Sequence, residues 1–187
     1  MSLTPVTQQL IKQLNQARIR LSELSERDDD APSEERAILS IEIADALLSL
    51  CAHTHSPQMK KNWIMQAIEL AELERFRACD LPVAGNFTGQ LDTLLAQAYF
   101  LLSQTAGEIK FLRLCKRILK SSTHHDHPNS LALLAQIHVL ESKPALSRYY
   151  LDKLTQHPQF EPKVLSGYPE AQAALANIGF AHLNHIH

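Results

Sequence analysis

Leu94-Leu95-Ala96-Gln97 returns 39 residues later as Leu133-Leu134-Ala135-Gln136. Each copy stands in a stretch whose apolar residues recur every three or four positions, the period of an amphipathic helix. A leucine followed by a small residue recurs at Leu48-Ser49, Leu95-Ala96, Leu134-Ala135 and Leu175-Ala176, the small residues lying 47, 39 and 41 positions apart. A small side chain lets a neighbouring helix come close while the leucine beside it fills the seam. Repetition at such intervals marks stacked helical hairpins, none of which can bury its apolar face without a neighbour.

Composition points the same way. The 187 residues are 45% hydrophobic and 20% charged, which is enough to bury a core without disulfides or metals. Only 5 glycines leave few of the tight turns that β-hairpins demand, and runs of Leu, Ala, Gln, Glu and Lys favour helix. The expectation is one all-α domain, 1–187, of about eight helices. An N-terminal amphipathic helix and linker occupy 1–30, helical hairpins 34–160 and a capping helix 167–187.

In chain order, Thr4 and Pro5 suit the start of a first helix over about 5–26. Leu10, Leu14, Ala17, Leu21 and Leu24 form a stripe of near-heptad period on it, which either lies on the following helix or seams two copies. Arg27 to Ser33 reads as a charged loop, with Asp30 or Ser33 as the next cap. Helices follow over about 34–54 and 58–76. Cys79 to Gly89, with Pro82, Gly85 and Gly89, reads as the longest irregular segment, either a simple connector or a function-bearing loop. Further helices are expected over about 90–104, 106–121, 129–142, 144–157 and 169–184.

Leu95-Ala96-x-x-Tyr99, Leu134-Ala135-x-x-His138 and Pro158 resemble the tetratricopeptide repeat, whose first helix carries Leu-small-x-x-aromatic and whose second helix often ends at proline. The resemblance covers about residues 34–184 and implies an α-α superhelix, a right-handed solenoid of hairpins. It implies no catalytic residue. The spacings exceed the roughly 34 residues of that family, and Ala52 stands where Leu48-Ser49 would need an aromatic.

Formal net charge is -2, which argues against a nucleic-acid binder for the whole chain. The charge is uneven: residues 1–92 hold 14 acids and 9 bases, residues 93–187 hold 6 acids and 9 bases. Cys51, Cys79 and Cys115 are too scattered for a disulfide framework or a Cys-x-x-Cys metal site. They read as reduced thiols of a cytoplasmic protein. No leader-like segment and no apolar run of about 18 residues is found.

Helix 106–121 carries the most distinctive surface. Lys110, Arg113, Arg117 and Lys120 are spaced 3, 4 and 3 and share one face, with Lys116 beside them. Such a face docks an acidic peptide, a phosphate-bearing ligand or an anionic membrane, or is simply solvated. Of the adjacent Tyr149 and Tyr150, one belongs in the core and the other is free to anchor a partner, as Tyr99 could. Eight of the 10 histidines gather around 53–55, 124–127 and 182–187, but neither His-Glu-x-x-His nor three converging ligands can be read, so no metal and no cofactor are assigned.

The expectation is a non-enzymatic scaffold, adaptor or chaperone-like protein that binds a peptide or helix of another protein. A homodimer through the first helix stays open. The alternatives are a metal- or anion-responsive regulator using the histidines, and nucleic-acid binding through the basic helix.

Overall fold

In a computed structural model, which describes residues 4–27, 33–81 and 84–183, every regular element is a helix. In order these are α1 (Pro5–Arg27), α2 (Glu34–Ala52), α3 (Pro57–Ala78), α4 (Ala84–Ala106), α5 (Ile109–Ser121), α6 (Pro128–Leu140), α7 (Pro144–Thr155), a 3-10 turn (Pro162–Gly167) and α8 (Pro169–Leu183). The acidic run 28–30 and the histidines beyond 183 lie outside the described residues.

The helix starts follow local chemistry. Thr4 accepts from the Thr7 amide at 3.3 Å, Ser33 from Arg36 at 3.1 Å and Ser56 from Met59 at 3.4 Å. Each satisfies a donor that the first turn leaves without a carbonyl. Pro57, Pro128, Pro144 and Pro169 all stand at first helical positions, where the missing N–H costs nothing. At the end of α4, Gly107 adopts φ 69° and returns its amide to Ser103 at 2.9 Å, a left-handed stop that favours glycine.

One expectation is corrected. The stretch Cys79 to Gly89 is not a long loop, because α4 begins at Ala84 and takes both Gly85 and Gly89 into its first turns. The apolar register decides this: Phe87 packs against the same core as Leu91, Leu94 and Leu95, so the helical stripe starts before the glycines end. Gly89 is small for a local reason. A Cβ there would collide with the imidazole of His124.

The chain gathers into two compact units, Met1–His124 and His125–His187. In the first, α2 packs against α3, α3 against α4, α4 against α5, and α2 also reaches α4. The stripe on α1 lies against α2: Leu14 and Ala17 are buried, and Leu10, Leu21 and Leu24 pack on the same core. In the second unit α6, α7 and α8 pack mutually. Residues Ser130 to His138 of α6 are all buried, as expected for a helix hydrophobic around most of its circumference.

The duplicated motif lies at the centre of each unit. Leu94, Leu95 and Ala96 are buried in one, Leu133, Leu134 and Ala135 in the other. The aromatic position of the motif has one role in both. Tyr99 stacks on Phe111 of α5 at 6.2 Å between ring centres, and His138 stacks on Tyr150 of α7 at 5.4 Å. Each pair is 12 residues apart and ties the first helix of a hairpin to its second.

Candidate interaction surfaces

The amphipathic reading of α5 places its two faces on opposite sides. Cys115 and Leu119 are fully buried, while Lys110, Arg113, Arg117 and Lys120 are exposed and Lys116 is half-buried. Lys110 pairs with Glu108 and lies 4.9 Å over the Phe111 ring. Phe111 in turn stacks on Tyr99, whose hydroxyl donates to Glu72 of α3 at 2.8 Å. Burial pushes that hydroxyl up to about 12, and the Glu72 carboxylate adds to the shift. Tyr99 therefore touches both α3 and α5. It is half-buried and acts as a strut, with its polar tip already engaged.

The outward face of α3 carries a surface that no single motif in the sequence marks. Met65, Leu73 and Phe76 are 38%, 49% and 78% exposed. Glu69 and Glu72 lie between them and are exposed too. The opposite side of the same helix buries Ile64, Ala67, Ile68 and Ala71. The signal was available, since 65, 69, 72, 73 and 76 share one side of a 3.6-residue helix. It was masked by the stronger inward stripe, which accounts for the helix by itself.

Tyr149 and Tyr150 meet edge to face at 5.2 Å. Tyr150 is half-buried against His138, and Tyr149 is 51% exposed with the Lys153 ammonium 5.6 Å from its ring centre. Lys153 also donates to Asp126 at 2.9 Å, and this hydrogen bond is the chief cause that holds the Asp126 carboxyl below the usual carboxylate range. The structure thus groups the sequence-selected residues in two places: the α5 cations with Tyr99 in the first unit, and the paired tyrosines in the second.

The histidines between 124 and 127 have structural partners. The His124 ring fills the space above Gly89, and His127 Nδ1 accepts from the Asn129 amide at 3.3 Å at the start of α6. His125 lies 3.2 Å from Asp126. Among the described residues no three His, Cys, Asp or Glu side chains converge as metal ligands would. Cys51 and Cys115 are buried and Cys79 is exposed, all as free thiols. Burial pushes the Cys51 thiol up to about 11 and drives Cys115 upward as well.

Two carboxylates inside the first unit are held by arginines. Glu74 of α3 is 1% exposed and lies 3.6 Å from Arg36 Nε of α2 and 3.8 Å from Arg77 Nη1. Asp92 of α4 is paired with Arg75. Breaking such a pair leaves an uncompensated buried charge, so these contacts fix the register of α2, α3 and α4. No helix among the described residues is long and apolar enough to cross a membrane. Comparison of the chain with family models, curated proteins and solved structures gives no match.

Proposed function

We propose that the protein is a non-enzymatic, tetratricopeptide-like scaffold of the cytoplasm whose α5 face docks an acidic helix or peptide of a protein partner. The observation that carries this reading is the disposition of α5. Lys110, Arg113, Arg117 and Lys120 stand exposed on one side of a helix whose other side buries Cys115 and Leu119. Four cations within about 15 Å of helix match the charge pitch of a glutamate-rich helix, and they would speed its encounter by long-range attraction.

The hairpin-array part of the proposal is supported by recurrence. The α2, α3, α4 group and the α6, α7, α8 group each pack all three helices pairwise, as the first helix, second helix and next first helix of a hairpin stack would. The two ring stacks at equal sequence separation support a duplicated hairpin. Cys51 and Cys115 are buried with thiols shifted upward, so neither is a ready nucleophile.

Fluorescence anisotropy with a labelled, glutamate-rich helical peptide tests the reading. The full chain binds the peptide with an affinity that falls as salt rises. The triple reversal Lys110→Glu, Arg113→Glu, Arg117→Glu weakens binding by at least about tenfold. Equal binding by the variant, or none by the native chain, overturns the proposal. Preference for a DNA duplex over the peptide moves the assignment to nucleic acid.

A further inference from the structure

The exposed face of α3 has the chemistry that the α5 face lacks. Three apolar side chains, Met65, Leu73 and Phe76, are interleaved with Glu69 and Glu72, and Phe76 at 78% exposure stands almost wholly in solvent. Large apolar side chains left exposed together on one helix face mark an association surface. At 1.5 Å per residue, the stripe from Met65 to Phe76 is about 16 Å long and the α5 stripe from Lys110 to Lys120 about 15 Å. The two stripes are of similar length and opposite charge.

Their placement matters as much as their chemistry. Tyr99 of α4 donates to Glu72 on α3 and stacks on Phe111 of α5, so the two helices flank one residue within the first unit. Both carboxylates of the α3 face remain exposed, as do Arg113 and Arg117 on α5. An acidic-apolar stripe and a basic stripe carried by the same unit make a self-complementary surface. In an isologous two-fold contact each copy offers both halves, so every attraction is made twice.

We infer that the chain forms a homodimer in which the α3 face of each copy receives the α5 face of the other. This rests on the reading of α5 as an acid-docking surface and names the acidic helix as α3 of a second copy. Phe76 and Leu73 supply the apolar centre of the contact. Glu69 and Glu72 meet Arg113 and Arg117 at its edge, where opposite charge sets the register and rejects misaligned pairing. The α1 stripe takes no part, because Leu14 and Ala17 already pack within their own chain.

Sedimentation equilibrium of the full chain tests the inference. The native chain sediments at twice its monomer mass, and its dissociation constant rises with salt. Glu69→Lys with Glu72→Lys, and separately Arg113→Glu with Arg117→Glu, each weaken the dimer at least about tenfold by turning attraction into repulsion. An equimolar mixture of those two variants regains the dimer, since the introduced lysines then face the introduced glutamates at one contact and native Glu69 and Glu72 face native Arg113 and Arg117 at the other. That recovery requires both variants to be folded, and native helical circular dichroism of each is checked first. Phe76→Glu removes the dimer without changing net pairing on α5.

A native chain that stays monomeric overturns the inference. So does a dimer indifferent to these substitutions, or a mixture that stays monomeric. If the chain is monomeric yet the α5 reversal still weakens binding of the glutamate-rich peptide, the self-association fails and the acid-docking role of α5 stands. If neither responds to that reversal, both fall.

Discussion

Gln136→Leu tests whether the last residue of the duplicated motif has a job distinct from packing. Gln136 is 1% exposed; its Oε1 accepts from the Ala171 amide at 2.9 Å, and its Nε2 donates to Glu170. Both partners lie in the first turn of α8, whose amides have no intrahelical acceptor, so a side chain of α6 caps α8 from across the unit. Leucine fills nearly the same volume and preserves packing, but it leaves the Ala171 N–H buried without an acceptor. That desolvation, with the lost charge-assisted bond to Glu170, costs about 2–4 kcal/mol. With about 1.4 kcal/mol per factor of ten, the Ala171 amide exchanges with solvent deuterium roughly 30- to 700-fold faster in the variant. Hydrogen exchange read by NMR measures it directly, with the Gln172 amide, bonded to Tyr168 at 2.9 Å, as a neighbouring reference. An Ala171 rate within about threefold of the native value would refute the capping role.

The two glycines of α4 should respond oppositely to alanine. Gly85→Ala meets nothing within 4 Å and stabilises by about 0.5–1 kcal/mol, whereas Gly89→Ala drives a methyl group into His124 and costs about 1–3 kcal/mol, recovered in part with His124→Ala. Urea unfolding followed through Trp63, the single tryptophan and a residue of the first unit, reads both. Asp126 titrates below an ordinary aspartate because it accepts from Lys153, so its contribution to stability is present above the unfolded-state pKa and is lost as pH falls through the lowered folded value. Carboxyl carbon shifts should show that lowered midpoint and its rise in Lys153→Ala; an unchanged midpoint would contradict the assigned cause. A thiol-reactive chromophore should label Cys79 quickly in the native chain and reach Cys51 and Cys115 only on unfolding, since those two are buried with thiols shifted upward. Three equally fast thiols would contradict this arrangement.

Much of the helical order was legible because its causes are local. Prolines at first helical positions, Ser33 as a cap and the three-to-four residue apolar period place α2, α3, α6 and α7 to within a few residues. The start of α4 is not legible, because Gly85 and Gly89 resemble loop residues when taken one at a time. Position 89 is glycine inside a helix because His124, 35 positions on, takes the space a side chain would fill. The α5 face was legible from spacing alone. The α3 face is not legible, because its inward stripe already explains the helix and exposure is a property of the folded unit.

Sequence by itself determined that the chain is helical, where most of its helices begin, and that one Leu-Leu-Ala-Gln pattern is written twice. These follow from backbone capping and side-chain period, which act within a turn or two of chain. Only tertiary structure decided what the repeated residues do. Leu-Leu-Ala packs at the centre of each unit, the aromatic position clasps the ring 12 residues on, and Gln136 caps a helix 35 residues away. It also decided which charges remain in water, because a helix shows its faces only once its neighbours have covered the others.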